Sequence, residues 1–427
     1  MDQSAAENMR TIATIFFVVA VLHTFATNPI LTLARRFKPG SVQENLLQYL
    51  GEIEIIFGVW AAALVTVWSF RFGTDSAVRF VETVNFTEPA FVFVIMCMSA
   101  TKPIMSLAKW AIDLTSRALP IPRRMALYIV TLIVGPILGS FITEPAAMTV
   151  TALLLKENFF DHSMSTRFRY ATLGLLFVSI SIGGTLTHFA APPVLMVAAA
   201  WKWDTPFMLQ VFGWRSSAVI VISTICTAVF FRKELTAATA SNQRLDDSTT
   251  KKPKLWLAAS HLIFIALTIF HSHHVAFFIP IFLFFLGWCA VTKEYQDELR
   301  IRESLLVAFF LGGLVTLGQL QDWWLKPLLA NLGSTPLFWG SLTLTAVADN
   351  AALTYLGTLV PNLTDEAKYA LVAGAVAGGG LTVIANAPNP AGYGLLRETF
   401  GEGGINPLAL LVGALPYTVL AAAVFLI

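Results

Sequence analysis

Residues 345–392 are apolar enough to lie in a membrane, yet they cannot continue there as one helix. The stretch breaks at Asp349-Asn350 and again from Gly378-Gly379-Gly380 through Pro390. A spanning helix keeps its backbone hydrogen bonds internal, so irregular backbone at bilayer depth survives only where protein buries it or it lines a cavity. Two such breaks predict a binding site and raise the question of a second copy. Composition agrees with the membrane: of 427 residues, 56% are hydrophobic and 13% charged, against roughly 25% charged in an ordinary soluble domain.

Apolar runs of roughly 17–25 residues are long enough to span. They place plain spans at 11–33, 50–70 and 89–107, a broken pair at 125–139 and 146–155 with arms too short to cross comfortably, an interrupted span at 170–200 and a last span at 216–231. Residues 232–254 are polar and charged, the one obvious linker. The order then repeats: spans at 255–270, 275–291 and 305–317, a broken pair at 337–347 and 351–360, an interrupted span at 367–397 and a final span at 407–427. The expected fold is therefore an all-α polytopic membrane protein of two inverted-topology repeats, 1–231 and 255–427, joined by a cytoplasmic linker. Each repeat carries three spans, a re-entrant hairpin (125–155 or 337–360), an interrupted helix (170–200 or 367–397) and a closing span.

Local sequence supports the match. Glu144-Pro145-Ala146-Ala147-Met148-Thr149 aligns with Asp349-Asn350-Ala351-Ala352-Leu353-Thr354, and Gly183-Gly184-Thr185-Leu186-Thr187 with Gly378-Gly379-Gly380-Leu381-Thr382. Pro-containing turns follow both, at Pro192-Pro193 and Pro388-Asn389-Pro390. With five crossings per half, the second copy is upside down relative to the first. Placing the linker in the cytoplasm puts 20 of the 28 Lys and Arg residues on that side, as the positive-inside rule demands. Both termini then lie outside. The flanks of the first hairpin are basic and those of the second are not, so the hairpins enter from opposite faces, as inverted repeats require. The N-terminus lacks a basic region and a small-residue cleavage signature, which predicts a retained first helix.

Ionisable groups inside membrane spans cost about 2.5 to 3.5 kcal/mol each on insertion scales and are functional candidates by default. Glu144 and Asp349 stand between half-helices, where a carboxylate and helix-end carbonyls together replace the hydration shell of a hard cation such as sodium. Desolvation moves a carboxylate toward the range where proton and sodium compete for one oxygen, the simplest basis for exchange. A helix cap is the structural alternative for either acid. Thr143, Ser140, Thr345 and Asn350 supply neutral oxygens beside them, although capping and turn chemistry select the same residue types. Thr185, Thr187, Thr382, Asn386 and Asn389 are the polar groups of the interrupted helices, whose Gly183, Gly184, Gly378, Gly379 and Gly380 let backbone approach an ion.

Glu52, Glu54 and His188 are candidates for a proton pathway, the histidine because its charge changes near neutral pH. Glu52 and Glu54, two apart, cannot share one helix face; an ion pair with Lys102 is a further possibility for one of them. His271, His273 and His274 read as an interfacial cluster and not as a transition-metal site. Cys97, Cys226 and Cys289 lie in apolar runs and read as small buried hydrophobes. Trp201, Trp203, Trp214, Trp323 and Trp324 fit an aromatic belt. No HExxH, nucleophile elbow, phosphate loop or haem motif is present, so an enzyme is not expected, and neither is a cofactor or nucleic-acid partner.

On Gly51-Glu52-Ile53-Glu54, a GExE-type second helix, and on an acidic residue in each hairpin, the chain resembles the sodium/proton antiporter family of the ion transporter superfamily, related to dicarboxylate/sodium symporters and arsenite permeases. The resemblance covers essentially the whole chain and implies scaffold and transport subdomains, elevator-type alternating access and a homodimer. Where the symporters carry Ser-Asn-Thr at the hairpin tips, this chain has Thr143-Glu144-Pro145 and Ala348-Asp349-Asn350, which speaks against a carboxylate substrate. The expected function is sodium (or lithium)/proton antiport in an inner (plasma) membrane of bacterial type, surrounded by lipid. The alternative is a sodium-coupled symporter of an organic or inorganic anion, which would need a positive or donor-rich site opposite the ion.

Overall fold

The computed structural model describes residues 3–160, 164–237, 253–329, 332–401 and 403–427; most of the linker lies outside them. The described residues are helical, with no strand among them, and seven helices are long and apolar enough to cross a membrane, or eight if a pair bent by 66° counts as one span. The first half contains α1 (Gln3–Ala34), α2 (Val42–Leu50), α3 (Ile56–Phe72), α4 (Thr74–Glu82), α5 (Thr87–Ser99), α6 (Lys102–Ala118), α7 (Arg123–Ile142), α8 (Glu144–Asn158), α9 (Thr166–Gly183), α10 (Pro192–Trp201) and α11 (Trp214–Phe230). The second contains α12 (Leu255–Phe270), α13 (Val275–Val291), α14 (Ile301–Gly318), α15 (Asp322–Leu329), α16 (Ser334–Thr345), α17 (Asn350–Thr358), α18 (Asp365–Gly378), α19 (Asn389–Leu396) and α20 (Pro407–Phe425).

Local chemistry sets the ends. Ser165, Thr364 and Asn406 accept backbone N–H bonds at the starts of α9, α18 and α20, satisfying donors that the first helical turn leaves open. Pro103, Pro145, Pro192 and Pro390 all fall in first turns, the one helical position where a missing N–H does no harm. The expected span at 89–107 is corrected by the same rule. It stops at Ser99, passes through an extended Thr101, and restarts as α6 with Pro103 in its first turn. The first arm of the first broken pair is also longer than expected, because Pro136 is absorbed inside a 20-residue α7 that is long enough to cross. Two smaller expectations fail as well: Trp203 is buried between Phe207 and Phe212 and is no belt residue, and Cys226 is exposed.

Two packed groups result. In one, α3 and α5 lie against α14, with α1, α12 and α13 outside them. In the other, α7 packs on α8 and α9, and α16 on α18. The second arm of each pair crosses to the other half of the chain: α8 packs on α19, and α17 on α10. Lipid gives helices no hydrophobic reason to associate, so close contact needs small residues. A Cβ on Gly374 or Gly378, a G-x-x-x-G pair on α18, would strike the carbonyl oxygens of Phe338 or Leu342 on α16. Gly313 of α14 likewise lies on the Phe57-Gly58 backbone of α3. Gly313→Ala is expected to destabilise the protein by about 1–3 kcal/mol through overpacking against backbone that cannot yield. Thermal unfolding of the detergent-purified protein checks this, with Gly340→Ala as control, since a Cβ there meets nothing within 4 Å and should leave the midpoint in place.

Candidate functional site

The four breaks meet in the second group. α7 turns into α8 through Thr143 alone, at φ 71°, a region costly for a residue with a Cβ. The strained residue delivers Glu144, fully buried, at the first position of α8. Its Oε2 accepts a 3.0 Å bond from Asn386 Nδ2 in the second interrupted helix. Its Oε1 is buried without a hydrogen-bond partner among the described residues. Gly184 sits directly against this carboxylate: a Cβ there would fall on Oε1 and within 2.6 Å of Cγ.

Ser140 locks the first turn to the first break. Its hydroxyl donates to Gly183 O at 2.7 Å and accepts from Leu186 N at 2.9 Å, while its carbonyl accepts from Thr187 Oγ1 at 2.7 Å. Thr143 shares a 3.1 Å bond with Ser99 of α5. Thr185 donates to Ile182 O and bonds Ser216 of α11, each at 2.7 Å. His188 bonds Thr205 at 2.8 Å.

Asp349 caps α17, accepting from Ala351 N at 2.8 Å and Ala352 N at 3.2 Å. Both roles foreseen for it are thus compatible, since one oxygen makes both cap bonds. Asn350 N donates to Ala385 O at 3.1 Å, and Thr382 Oγ1 to Ala346 O at 2.8 Å, so the second turn is tied to the second break as the first is to its own. Asn389 Nδ2 closes that break on Gly379 O and Thr382 O, both at 2.8 Å. The side-chain oxygens of Asn350, Asn386, Asn389 and Thr345 are buried without partners among the described residues. Orphaned buried acceptors cost roughly 1–3 kcal/mol each, and Asn386, which holds one of them, bonds the carboxylate of Glu144, whose Oε1 is in the same condition.

Ser181 was not foreseen. It donates to Val376 O at 2.7 Å, joining α9 to α18, and its hydroxyl and the Asn350 amide both crowd the space over Gly379. A serine two residues before the Gly183-Gly184 break, one of two with Ser179 in the apolar second half of the helix, was the available signal.

A cavity of about 330 Å³ approaches these turns and is lined by Thr143, Pro145, Pro388, Glu52, Glu54 and Arg302, the last with a 70% exposed side chain at its mouth. A second pocket of about 20 Å³ brings Glu54 together with Asp349 and Asn386. The expectation that Glu52 and Glu54 face apart is corrected: the backbone leaves α2 extended at Glu52 and enters a 3-10 turn at Ile53–Ile55, so both line one cavity. Lys102 joins neither. It pairs with Asp297 at 2.7 Å, and Glu52 pairs with Arg302 at 2.8 Å.

Residues 8–427 match the family described as "Putative Na+/H+ antiporter". The chain belongs to this family. Membership spans both packed groups and all four breaks, and with the apolar helices it makes the chain an integral membrane protein of an antiporter family. No curated protein matches the chain.

Proposed function

We propose that this antiporter-family member exchanges sodium or lithium for protons, with Glu144 and Asp349 as the groups that bind cation and proton in turn. One observation carries the reading: a fully buried carboxylate of the first half, one oxygen bonded to Asn386 of the second half and the other without a partner, with further partnerless amide and hydroxyl oxygens, those of Asn350, Asn386, Asn389 and Thr345, in the turn and break of the second half. Such a set suits a hard monovalent cation, which takes oxygen ligands from carboxylate, amide and hydroxyl alike. A proton on the same carboxylate removes its charge and the cation with it.

The two halves act as inverted repeats with re-entrant hairpins. Supporting this are the reciprocal crossings of α8 onto α19 and α17 onto α10, and the parallel ties between each turn and its own break. The second group moves past the first, elevator fashion, in a homodimer whose termini lie outside a bacterial-type inner membrane, and no cofactor takes part. The anion-symport reading has one observation in its favour, Arg300 and Arg302 in the wall of the cavity; Arg302 is already neutralised by Glu52, and Lys102 by Asp297.

In everted vesicles energised to an acid interior, adding sodium is expected to dissipate the proton gradient across a pH series, with lithium acting alike. No sodium effect, together with sodium-dependent uptake of a labelled anion, would move the assignment to the symporter. Sodium is also expected to raise the thermal midpoint of the purified protein, since a ligand present at 100 times its Kd stabilises by about 2.7 kcal/mol.

A further inference from the structure

The two acids of the proposed exchange both belong to the second packed group. A third carboxylate faces them from the first. Glu54 sits in the 3-10 turn that opens α3, the helix packed on α14. It lines the larger cavity with Thr143 and Pro145, and the smaller one with Asp349 and Asn386. No other acid lines both.

The guanidinium of Arg302, which shares the cavity with Glu54, is paired elsewhere. Arg302 is held by Glu52 at 2.8 Å, Arg300 and Glu303 share the cavity wall, and one oxygen of Asp349 makes both cap bonds of α17. Among the described residues Glu54 forms no ion pair within 4 Å. An unpaired carboxylate at half-burial, between an open cavity and the site, attracts a cation and weakens that attraction to nothing once the site moves away, because Coulomb energy falls with distance and salt screens it within about 8 Å.

We infer that Glu54 is a side-specific cation ligand: it serves the site only while the site faces the cavity that opens past Arg302. This rests on the exchange reading, and specifically on the second group moving past the first. Glu54 stays with α3, whereas Glu144 and Asp349 travel. A cation entering past Arg302 meets Glu54 before Asp349; one entering from the other face meets Glu144 and Asp349 without it.

The test measures cation dependence of exchange at each face, in everted and in right-side-out vesicles, for Glu54→Gln and for the conservative Glu54→Asp. The apparent KM for sodium in Glu54→Gln is expected to rise about tenfold at the Arg302 face, the loop-charge cytoplasmic side exposed in everted vesicles, and to change by less than about twofold at the other. Glu54→Asp should recover most of the loss. Normal exchange from the opposite face shows that the variant is folded. An equal rise at both faces, no rise at either, or a rise at the opposite face alone overturns the inference.

A second readout separates this from failure of the exchange reading. Glu54→Cys is expected to react with an impermeant maleimide from the Arg302 face only, beyond the labelling of the parent's own cysteines, whatever ion the protein carries. Labelling from both faces or from neither overturns the one-sided placement even if exchange is normal. Absence of sodium/proton exchange in the parent defeats the exchange reading and, with it, the ligand role of Glu54.

Discussion

Asp349→Asn is expected to lower sodium-driven proton movement in vesicles by about a hundredfold or more while leaving the fold intact, because losing a charge that a buried site relies on costs roughly 3–5 kcal/mol and a hundredfold corresponds to about 2.7. The substitution is chosen for what it preserves. Asparagine caps helices about as well as aspartate, and the cap on α17 uses a single oxygen that accepts from both Ala351 N and Ala352 N. If Asp349 were only a cap, Asp349→Asn would keep full exchange. If it carries charge, exchange falls while the thermal midpoint stays. Measuring both on one preparation decides the matter, and retained exchange with an unchanged midpoint would remove Asp349 from the mechanism.

The second large effect is expected at a residue with no side chain. Gly184 leaves room for the Glu144 carboxylate, and a Cβ there would fall on Oε1 and within 2.6 Å of Cγ. Gly184→Ala must therefore push the carboxylate off its bond to Asn386 or shift the first break. A positional error of about 1 Å at a reacting group is worth on the order of a hundredfold, so exchange should fall by about that factor. A shorter acid makes space: in Gly184→Ala with Glu144→Asp, part of the exchange should return relative to Gly184→Ala alone. Such non-additivity is expected for residues in contact and not for distant ones. Vesicle assays of the two single variants and the double variant read it directly; strict additivity would mean that Gly184 acts through the fold and not through Glu144.

Sequence made the helices and the breaks legible because each has a local cause. Gly183, Gly378 and the prolines after them interrupt apolar runs that otherwise continue, and the chain breaks there. The acids were legible for a similar reason, since a carboxylate in an apolar run is costly wherever it ends up. What sequence did not disclose depends on contacts between distant segments. Asn386 meets Glu144 across 242 positions, and Ser181 meets Val376 across 195; no local pattern encodes either. The break after Ser99 was hidden for another reason. Residues 89–107 carry no charge save Lys102, so Pro103 looked like an irregularity inside one span, when it marks the start of the next. Thr185 shows the reverse case. It has the right residue type in the right motif, but the 3-10 turn after Gly183 aims it at Ser216.

The crossing of α8 onto α19 and of α17 onto α10 bears on how the protein is made. A ribosome delivers the first half to the membrane before the second exists, so α8 and α10 must wait there with the faces meant for α19 and α17 against lipid or against each other. Neither half can finish its own core, and the two should mature as one unit when the last helices arrive. Severed within the linker and produced as two polypeptides, the halves are expected to reassemble with each other, and neither is expected to persist in the membrane alone.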